Sequence, residues 1–353
     1  SRAAPVTSTL GVTMGSIWTP TNEFAAFFGE QVGLKSGLAL TRDELVTHIG
    51  GNDPIASAIA SVSDDLVRLR AAEVEDAFQR VLFRLGRLDR EFVGHGPTLL
   101  HIKYHADAEK SSYLLQVLAL LGDVHFNGGK HSLNDGFDKE HFFEKVSSNL
   151  PSDAIPIAVE LIGLIELSER ASPWQWHPDR QVAWKDTVDL KGLFSSESLD
   201  ATHGTFFDQR FIDYLSANFD RIDNINWRKF EGLAAEFFVR SGYTVDVGPG
   251  RNDGGVDIRA WNLGATPTEP PLILIQCKRQ KEKVGKTVVK ALWADVVDEN
   301  ATSGLVVTSS ALAPGADTVR RARSYPIEVA DRATLKDWLS QLKTPGTGIF
   351  LGS

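Results

Sequence analysis

The feature that most constrains the fold is a short apolar run with a polar end, "PLILIQCKRQ" at residues 271–280. A continuous apolar run of this length is typical of a strand that is covered on both faces. Such a strand requires helices on each side of its sheet. The run therefore predicts an α/β fold with this strand near the centre.

The sequence around the run predicts a mixed sheet between helices. Alternating or apolar strand patterns and amphipathic helix patterns take turns along this part of the chain, and Gly242 is expected to end the first helix. The predicted strands are 243–248, 255–261, 271–278, 303–310 and 326–330, and the predicted helices are 226–242, 288–299, 313–324 and 331–342.

The first part of the chain is predicted to be rich in helices. Apolar residues recur at helical spacing over 64–88, 111–122 and 156–169. Residues 171–205 combine Pro, Gly and Ser with three tryptophans and predict a linker. We therefore expect an N-terminal domain over 1–205, including that linker, and a second domain over 206–345 that begins with an amphipathic helix at 206–222.

Composition limits the compartment and the partners. The 353-residue chain has one cysteine, Cys277, so no intrachain disulfide forms, as is usual in a reducing cytoplasm. No run reaches the roughly 18 apolar residues of a membrane span. We expect a cytoplasmic protein with no membrane partner.

Charge is unevenly distributed along the chain. The net charge is −9, yet residues 225–342 hold 16 Lys and Arg against 14 Asp and Glu. Between Lys278 and Lys290 there are six basic residues and one acid, Glu282. Such a stripe is suited to nucleic-acid phosphates, although a solvated helix face has the same composition.

Two polar side chains at the end of the predicted central strand lie on one face. Because side chains alternate along a strand, Gln276 and Lys278 share a face and Cys277 points away. If the segment containing Asp257 runs beside this strand, its carboxylate reaches the same edge, and the preceding glycines allow Asp253 to approach. Carboxylate and amide oxygens suit Mg²⁺, which takes hard oxygen ligands.

These motifs occur together in a known family. The segment "FEGLAAEFFVRSGYTVDVGPGRNDGGVDIRAW", then "ILIQCKRQ", a basic helix and "GLVVTSSALAPGA" resemble the Mrr-like restriction endonuclease domain, a branch of the PD-(D/E)XK nuclease superfamily. The resemblance covers about residues 225–342. No family resemblance is found for residues 1–205.

The resemblance implies roles for five residues. Asp257 matches the metal-binding aspartate and Lys278 the catalytic lysine, and Gln276 stands where the wider superfamily has Asp or Glu. The backbone carbonyl of Cys277 is implied as a further metal ligand. Glu231 is similar to the helix glutamate that supports the metal.

Two further acids and several basic or hydroxyl residues are secondary candidates. Glu236 competes with Glu231, because five residues on a helix separate the two by about 140°, and Asp253 resembles another acidic position or caps the glycine turn. Ser310 is alternatively a helix cap. The candidates for nucleic-acid contacts are Arg279, Lys281, Lys283, Lys286, Lys290, Ser309 and Ser310.

The function implied is that of a Mg²⁺-dependent endonuclease acting on DNA, with Mn²⁺ able to substitute, in a type IV-like restriction or anti-phage role. All nine histidines lie at or before His203, so a histidine-based nuclease site is excluded from the second domain. Cleavage of both strands requires two sites and predicts a homodimer. The alternatives are a catalytically weak nucleic-acid-binding module and an RNA-cleaving nuclease.

Three weaker signals lie in the N-terminal part. His101 and His105 could share a helix face and bind zinc with Asp107. The loop "HFNGGKHS" lacks the first glycine of a phosphate-binding loop. The last signal is a set of tryptophans that either stack a base or anchor the linker: Trp174, Trp176 and Trp184.

Overall fold

The structure is a computed structural model, and it describes residues 15–92, 94, 96–124, 137–174, 186–250, 255–265 and 268–343. These residues form two compact units, the first within 15–84 and 88–186 and the second made of 85–87 and 187–343. Residues 187–205, part of the predicted linker, lie in the second unit.

The described part of the first unit is mostly helical, as predicted. It also contains a ribbon of two antiparallel strands, β1 and β3, in which Ile17 lies opposite Leu69. The elements are β1 (Ser16–Pro20), α1 (Thr21–Ser36), β2 (Leu38–Ala39), α2 (Arg42–Ile49), α3 (Pro54–Ala60), β3 (Leu66–Arg70), α4 (Ala71–Arg84), α5 (Gly96–Tyr104), α6 (Ala108–Val124), α7 (Lys139–Asn149) and α8 (Ala154–Ala171).

One helix prediction in this unit is wrong at its start. The helix predicted over 64–88 begins at Ala71, and Leu66–Arg70 form β3 instead. Leu66 and Leu69 are three residues apart, which fits a helix face, but pairing with β1 decides the local structure. Non-local strand pairing of this kind leaves no mark in the local periodicity.

The last four helices of the first unit pack around a shared apolar core. Leu114 and Val117 of α6 and Phe142 of α7 are fully or almost fully buried there. Leu161 of α8 belongs to the same cluster. Burying apolar side chains on the inner faces of α5 to α8 supplies the main stabilisation of this helical group.

The second unit contains the predicted mixed sheet. Its strand order is β5-β6-β7-β8-β9, with antiparallel pairing from β5 to β7 and parallel pairing from β7 to β9. The elements are β4 (Val188–Asp189), α9 (Gly192–Ser195), α10 (Gln209–Ala217), a 3-10 helix (Phe219–Asp223), α11 (Trp227–Arg240), β5 (Tyr243–Val247), β6 (Ile258–Asn262), β7 (Ile273–Lys278), α12 (Lys286–Asp298), β8 (Ser303–Thr308), α13 (Pro314–Ala322), β9 (Ile327–Ala330) and α14 (Arg332–Leu342).

Helices cover both faces of this sheet, which confirms the α/β prediction. On one face α12 and α13 pack over Leu274 and Val306. On the other, α11 and α14 meet where Phe237 and Trp338 stack with ring centroids 4.0 Å apart. Gly242 follows α11 with a φ of 89°, a conformation that favours glycine after a helix. The helix predicted at 206–222 is split, because α10 ends at Ala217 and a 3-10 helix follows.

A chain of polar contacts links three segments of this unit. Asp213 forms a buried ion pair with Arg87 and accepts a hydrogen bond from Gln209 at 3.0 Å. Arg240 donates to the Gln209 side chain at 2.6 Å and to Glu236 at 2.7 Å. These five residues are called the polar network below. Because its members are linked side chain to side chain, it holds α10, α11 and residues 85–87 together.

Within the described residues, no helix has both the length and the apolar composition needed to cross a bilayer.

Candidate active site

The sheet brings Asp257 beside the end of β7, as the sequence predicts. Asp257 directly precedes β6, and its backbone N–H donates to the carbonyl of Ile275 at 3.0 Å. Its carboxylate then accepts a hydrogen bond from the backbone N–H of Cys277 at 2.6 Å. With only 9% of its surface exposed, this acid lies where the antiparallel β6–β7 pair ends.

Gln276 lies on β7 with a buried amide oxygen that lacks a donor. The residue is 6% exposed, and its Oε1 has no hydrogen-bond partner in the described structure. A methyl group added at Gly255 would lie 3.3 Å from Gln276 Nε2, so this glycine leaves room for the amide. An unpaired buried carbonyl costs about 1–3 kcal/mol, which a bound cation or donor would recover.

Three charged side chains affect the pKa of the Cys277 thiol. Desolvation raises the pKa of its thiol, and the negative charges of Asp257 and Glu231 raise it further. Lys278 acts in the opposite direction. The half-buried thiol is therefore protonated at neutral pH.

Lys278 ends β7 with its backbone fixed and its ammonium unengaged. Its carbonyl accepts hydrogen bonds from the Thr308 hydroxyl at 2.9 Å and the Ser309 N–H at 3.3 Å. Its Nζ makes no hydrogen bond or ion pair with any described residue. A strand-anchored cation that lacks a protein partner is available to an anionic ligand.

Glu231 and Glu236, which compete on α11, have different surroundings. Glu231 is buried and pairs with Arg228 at 2.6 Å, and Arg228 also donates to the carbonyl of Gly248 at 2.6 Å. Arg228 was not among the predicted site residues, although its i,i+3 spacing from Glu231 on a helix could have indicated it. This arrangement orients Glu231 beside the strand end.

Glu236 belongs to the polar network and is not among the charges acting on Cys277. One carboxylate oxygen accepts from the backbone N–H groups of Thr205 and Phe206, both at 2.8 Å. The other accepts from Arg240. Because these donors occupy the carboxylate, Glu236 holds the 205–207 loop in place and does not provide a metal ligand at the end of β7.

The end of β7 offers a small number of oxygen ligands for a hard cation. Asp257 and Gln276 offer a carboxylate and an unpaired amide oxygen, which match the preference of Mg²⁺. Among the described residues, no group of three or more His, Cys, Asp or Glu side chains is placed to hold a metal. Asp253 lies outside the described residues. The donors fit an ion that keeps several waters.

A family model and a curated protein match parts of this chain. A family model described as "Restriction endonuclease" (Mrr_cat) matches residues 222–339. The protein y4cE of Sinorhizobium fredii (strain NBRC 101917 / NGR234), described as uncharacterized, is 30% identical over 90 residues, or 26% of this chain. The match spans 23% of that relative. No solved structure matches the chain.

Residues 222–339 thus match an Mrr-like restriction endonuclease domain. The predicted resemblance to this family is thereby confirmed, and the match to a restriction endonuclease model supports a nuclease in general. The domain includes the 3-10 helix end, α11, the whole five-stranded sheet and most of α14.

The basic stripe of the endonuclease domain is on the surface. Buried Val284 bonds with the backbone of Ala311 and Ala313, which fixes the segment before α12 and leaves the lysines on either side exposed. Arg279 differs, since it is half-buried and donates to the carbonyl of Asp223 at 2.9 Å. The exposed members are Lys281, Lys283, Lys286 and Lys290.

The two serines after β8 bind backbone instead of standing free for a phosphate. The Ser309 hydroxyl is buried between the backbone N–H and carbonyl of Gln280, at 3.0 and 3.1 Å. Ser310 donates to the carbonyl of Lys281 at 3.1 Å. The helix-cap alternative for Ser310 is wrong, because α13 begins at Pro314 after Ala313. Both hydroxyls fasten the basic segment to the sheet.

The weaker signals in the N-terminal part do not correspond to a metal site among the described residues. The ring of His105 contacts the carbonyl of Ile102 at 2.6 Å, and Asp107 pairs with Lys110 at 3.1 Å. Trp174 stacks on Phe27 with ring centroids 5.6 Å apart, which is the anchoring alternative. Trp176, Trp184 and the "HFNGGKHS" loop lie outside the described residues.

Proposed function

We propose that the endonuclease domain hydrolyses DNA phosphodiester bonds with Mg²⁺, and that Mn²⁺ substitutes for it. The observation that carries the proposal is the junction of β6 and β7. There a buried carboxylate is fixed by the N–H of Cys277, next to an unpaired amide oxygen on the neighbouring strand position. A buried polar group without a partner requires an explanation, and a bound ion supplies one at a position beside a buried carboxylate.

The proposed ligands of the ion are Asp257, the Gln276 amide oxygen and the Cys277 carbonyl, with Glu231 supporting them through water. When bound, Mg²⁺ supplies a Lewis acid that offsets negative charge developing on the phosphate. The Cys277 N–H orients the Asp257 carboxylate, and Arg228 orients Glu231. The neutral amide of Gln276 adds no charge, so among the described residues the proposed site holds the cation with two carboxylates.

Lys278 is the proposed catalytic residue that contacts the reacting atoms. Its Nζ has no competing carboxylate partner among the described residues, so it can donate to the attacking water or to a phosphate oxygen. Thr308 and Ser309 fix the Lys278 carbonyl and thereby hold the strand end in place. A fixed cation in a partly desolvated edge stabilises transition-state charge more than one in water.

The exposed lysines of the stripe provide the phosphate contacts of the proposal. Lys286 and Lys290 are one helical turn apart on α12, and Lys281 and Lys283 precede that helix. Each lysine that neutralises a phosphate releases counterions, so binding should weaken steeply with salt. A restriction or antiviral defence role and a homodimer that cuts both strands belong to the same proposal.

A catalytically weak nucleic-acid-binding module is the second candidate. The observation that favours it is the lack of a group of three or more metal-ligating side chains among the described residues. The two candidates differ in whether Asp257 is needed for cleavage or only for the fold.

The test is nicking of supercoiled plasmid by the full chain in Mg²⁺, with EDTA as the blank. Asp257→Ala should abolish nicking, whereas the matched variant Asp246→Ala, an exposed aspartate on β5, should nick like the wild type. Cleavage rates on DNA and RNA strands of the same sequence show which of the two is the substrate. Plasmid that stays supercoiled with the wild type under all divalent ions, or equal nicking by both variants, would overturn the catalytic proposal.

A further inference from the structure

The ribbon in the first unit has one buried and one exposed face. Ile17, Thr19 and Leu69 are buried, because alternate side chains of β1 and β3 point into the unit. The other set points to solvent, and it includes Trp18, which is 62% exposed. The inner residues therefore fix the ribbon while the outer ones remain available. We call the outward-facing set the ribbon face: Ser16, Trp18, Pro20, Leu66, Arg68 and Arg70.

The exposed indole is held in a defined orientation. Trp18 lies directly opposite Arg68 across the ribbon, and the guanidinium carbon of Arg68 is 5.7 Å from the ring centroid. Arg68 Nε in turn donates to the Ser16 hydroxyl at 3.2 Å. A cation stacked on one side leaves the rest of the indole surface open. The side chain is thus a preformed aromatic platform.

This exposure is a property of the position and not of tryptophan in general. Trp261 and Trp338 of the second unit are buried, at 4% and 7% exposure. Leaving a large aromatic ring in water forfeits burial of an apolar surface of roughly 150–250 Å². Exposed Leu66 lies two residues from Arg68 on the same face. Exposed aromatic and apolar groups of this kind mark binding surfaces.

The charge of the ribbon face fits a polyanion. Its ionisable members are Arg68 and Arg70, and none of its residues is acidic. Arg70 reaches Glu73 only at 3.4 Å, and both side chains are strongly exposed, so the pair is weak. Asp64 and Asp65 precede Leu66, at the end of β3 away from the arginines. The positive charge is therefore concentrated beside Trp18.

We propose that the ribbon face binds nucleic acid by stacking an unpaired base on Trp18, with Arg68 and Arg70 contacting the flanking phosphates. Stacking on an exposed aromatic residue combined with basic neighbours is how proteins hold single strands. The choice of nucleic acid as the ligand rests on the proposed function, whereas the platform itself does not. The first unit thereby selects unpaired or distorted stretches of the substrate.

The test is equilibrium binding of the full chain in EDTA, where no cleavage occurs, measured by fluorescence anisotropy. Three labelled probes of one sequence are compared: single strand, duplex, and duplex with a central unpaired stretch. Trp18→Ala should weaken binding of both probes with unpaired bases by about tenfold and leave the duplex nearly unchanged. Trp18→Phe should restore most of the affinity. Phe92→Ala, another exposed aromatic residue of this unit, is the matched control.

Equal affinity of Trp18→Ala and wild type for every probe would overturn the proposal, provided that both unfold at the same temperature. The proposal would also be overturned if Trp18→Ala changed the mass measured by sedimentation but not the affinity for DNA. That result would assign the ribbon face to a contact between protein chains. If binding does not depend on Trp18 but the wild type nicks plasmid, the ribbon proposal alone is refuted. Trp18-dependent binding without nicking refutes only the catalytic proposal.

Discussion

The end of β7 and the polar network use the same kinds of side chain, in the same unit, with opposite outcomes. In the network, the Glu236 carboxylate accepts from backbone N–H groups and from Arg240. At the strand end, Gln276 Oε1 and the Lys278 ammonium have no partner among the described residues. The difference shows that residue type alone does not identify the site, because protein donors occupy the Glu236 carboxylate, whereas Gln276 Oε1 and Lys278 Nζ have no partner among the described residues.

The largest effect is expected from the unpartnered cation. Lys278→Ala should lower the plasmid nicking rate by about 10³-fold, because a fixed charge near the developing phosphate charge is lost. The free energy of unfolding should stay within about 0.5 kcal/mol of wild type, since Nζ makes no hydrogen bond or ion pair with a described residue. Initial nicking rates and urea unfolding check the two parts. Lys336→Ala, an exposed lysine of α14 outside the basic stripe, is the control.

The reverse pattern is expected from the buried ion pair of the network. Arg87→Met leaves the Asp213 carboxylate buried without its cation, which should lower the free energy of unfolding by about 3–5 kcal/mol. Urea unfolding measures the loss. The double variant Arg87→Met/Asp213→Leu should be more stable than Arg87→Met, because no uncompensated charge remains. Stability equal to wild type in the single variant would contradict a structural role for the pair.

Two glutamates of one helix sharpen the comparison further. Glu236→Gln should lower the free energy of unfolding by about 1–3 kcal/mol, through loss of the charge held by the 205–207 loop and Arg240. Its nicking rate per folded molecule should match wild type. Glu231→Gln should instead lower the nicking rate roughly 10- to 100-fold at low Mg²⁺. If Glu236→Gln lowered the nicking rate and Glu231→Gln lowered only the stability, Glu236 would be the active-site glutamate and Glu231 the structural one.

The smallest effect concerns pH and Asp208, which pairs with Arg210 beside the network. Burial alone would raise the pKa of Asp208, but hydrogen bonds and charge from Arg210 outweigh it and hold this pKa below its ordinary value. The stabilisation is therefore complete above about pH 5 and is lost as pH falls through the unfolded pKa near 4 towards the folded one.

Wild type should accordingly lose more stability than Asp208→Asn between pH 5 and pH 3. The slope from one carboxylate does not exceed about 1.4 kcal/mol per pH unit. Urea unfolding across this range measures it, with Asp246→Asn as an exposed control. Parallel stability curves for wild type and Asp208→Asn would show that the Arg210 pair contributes nothing.

The sequence was sufficient where local pattern determines the structure. The apolar run before Gln276 predicted the central strand, and alternation along it placed Gln276 and Lys278 on one face. The strand and helix order from Tyr243 to Leu342 followed from periodicity in the same way. The family resemblance supplied the roles of Asp257 and Glu231, which no local pattern could assign.

Contacts between distant parts of the chain account for what was missed. Ser309 and Ser310 sit between a strand and a helix, which predicts phosphate contacts, yet their hydroxyls bond residues 280 and 281 of another segment. The strand at Leu66–Arg70 depends on pairing with β1, in which Trp18 lies opposite Arg68, 50 residues further along the chain. The roles of Arg228 and Arg87 also depend on partners fixed only by the fold.

The most direct measurement is diffraction from crystals grown with Mn²⁺, recorded at a wavelength where the metal scatters anomalously. The account predicts one peak at the end of β7, about 2–2.3 Å from an Asp257 carboxylate oxygen and the Gln276 amide oxygen, with Lys278 Nζ close by but outside the coordination sphere. A peak bound elsewhere, or no peak at this edge at saturating Mn²⁺, would contradict it.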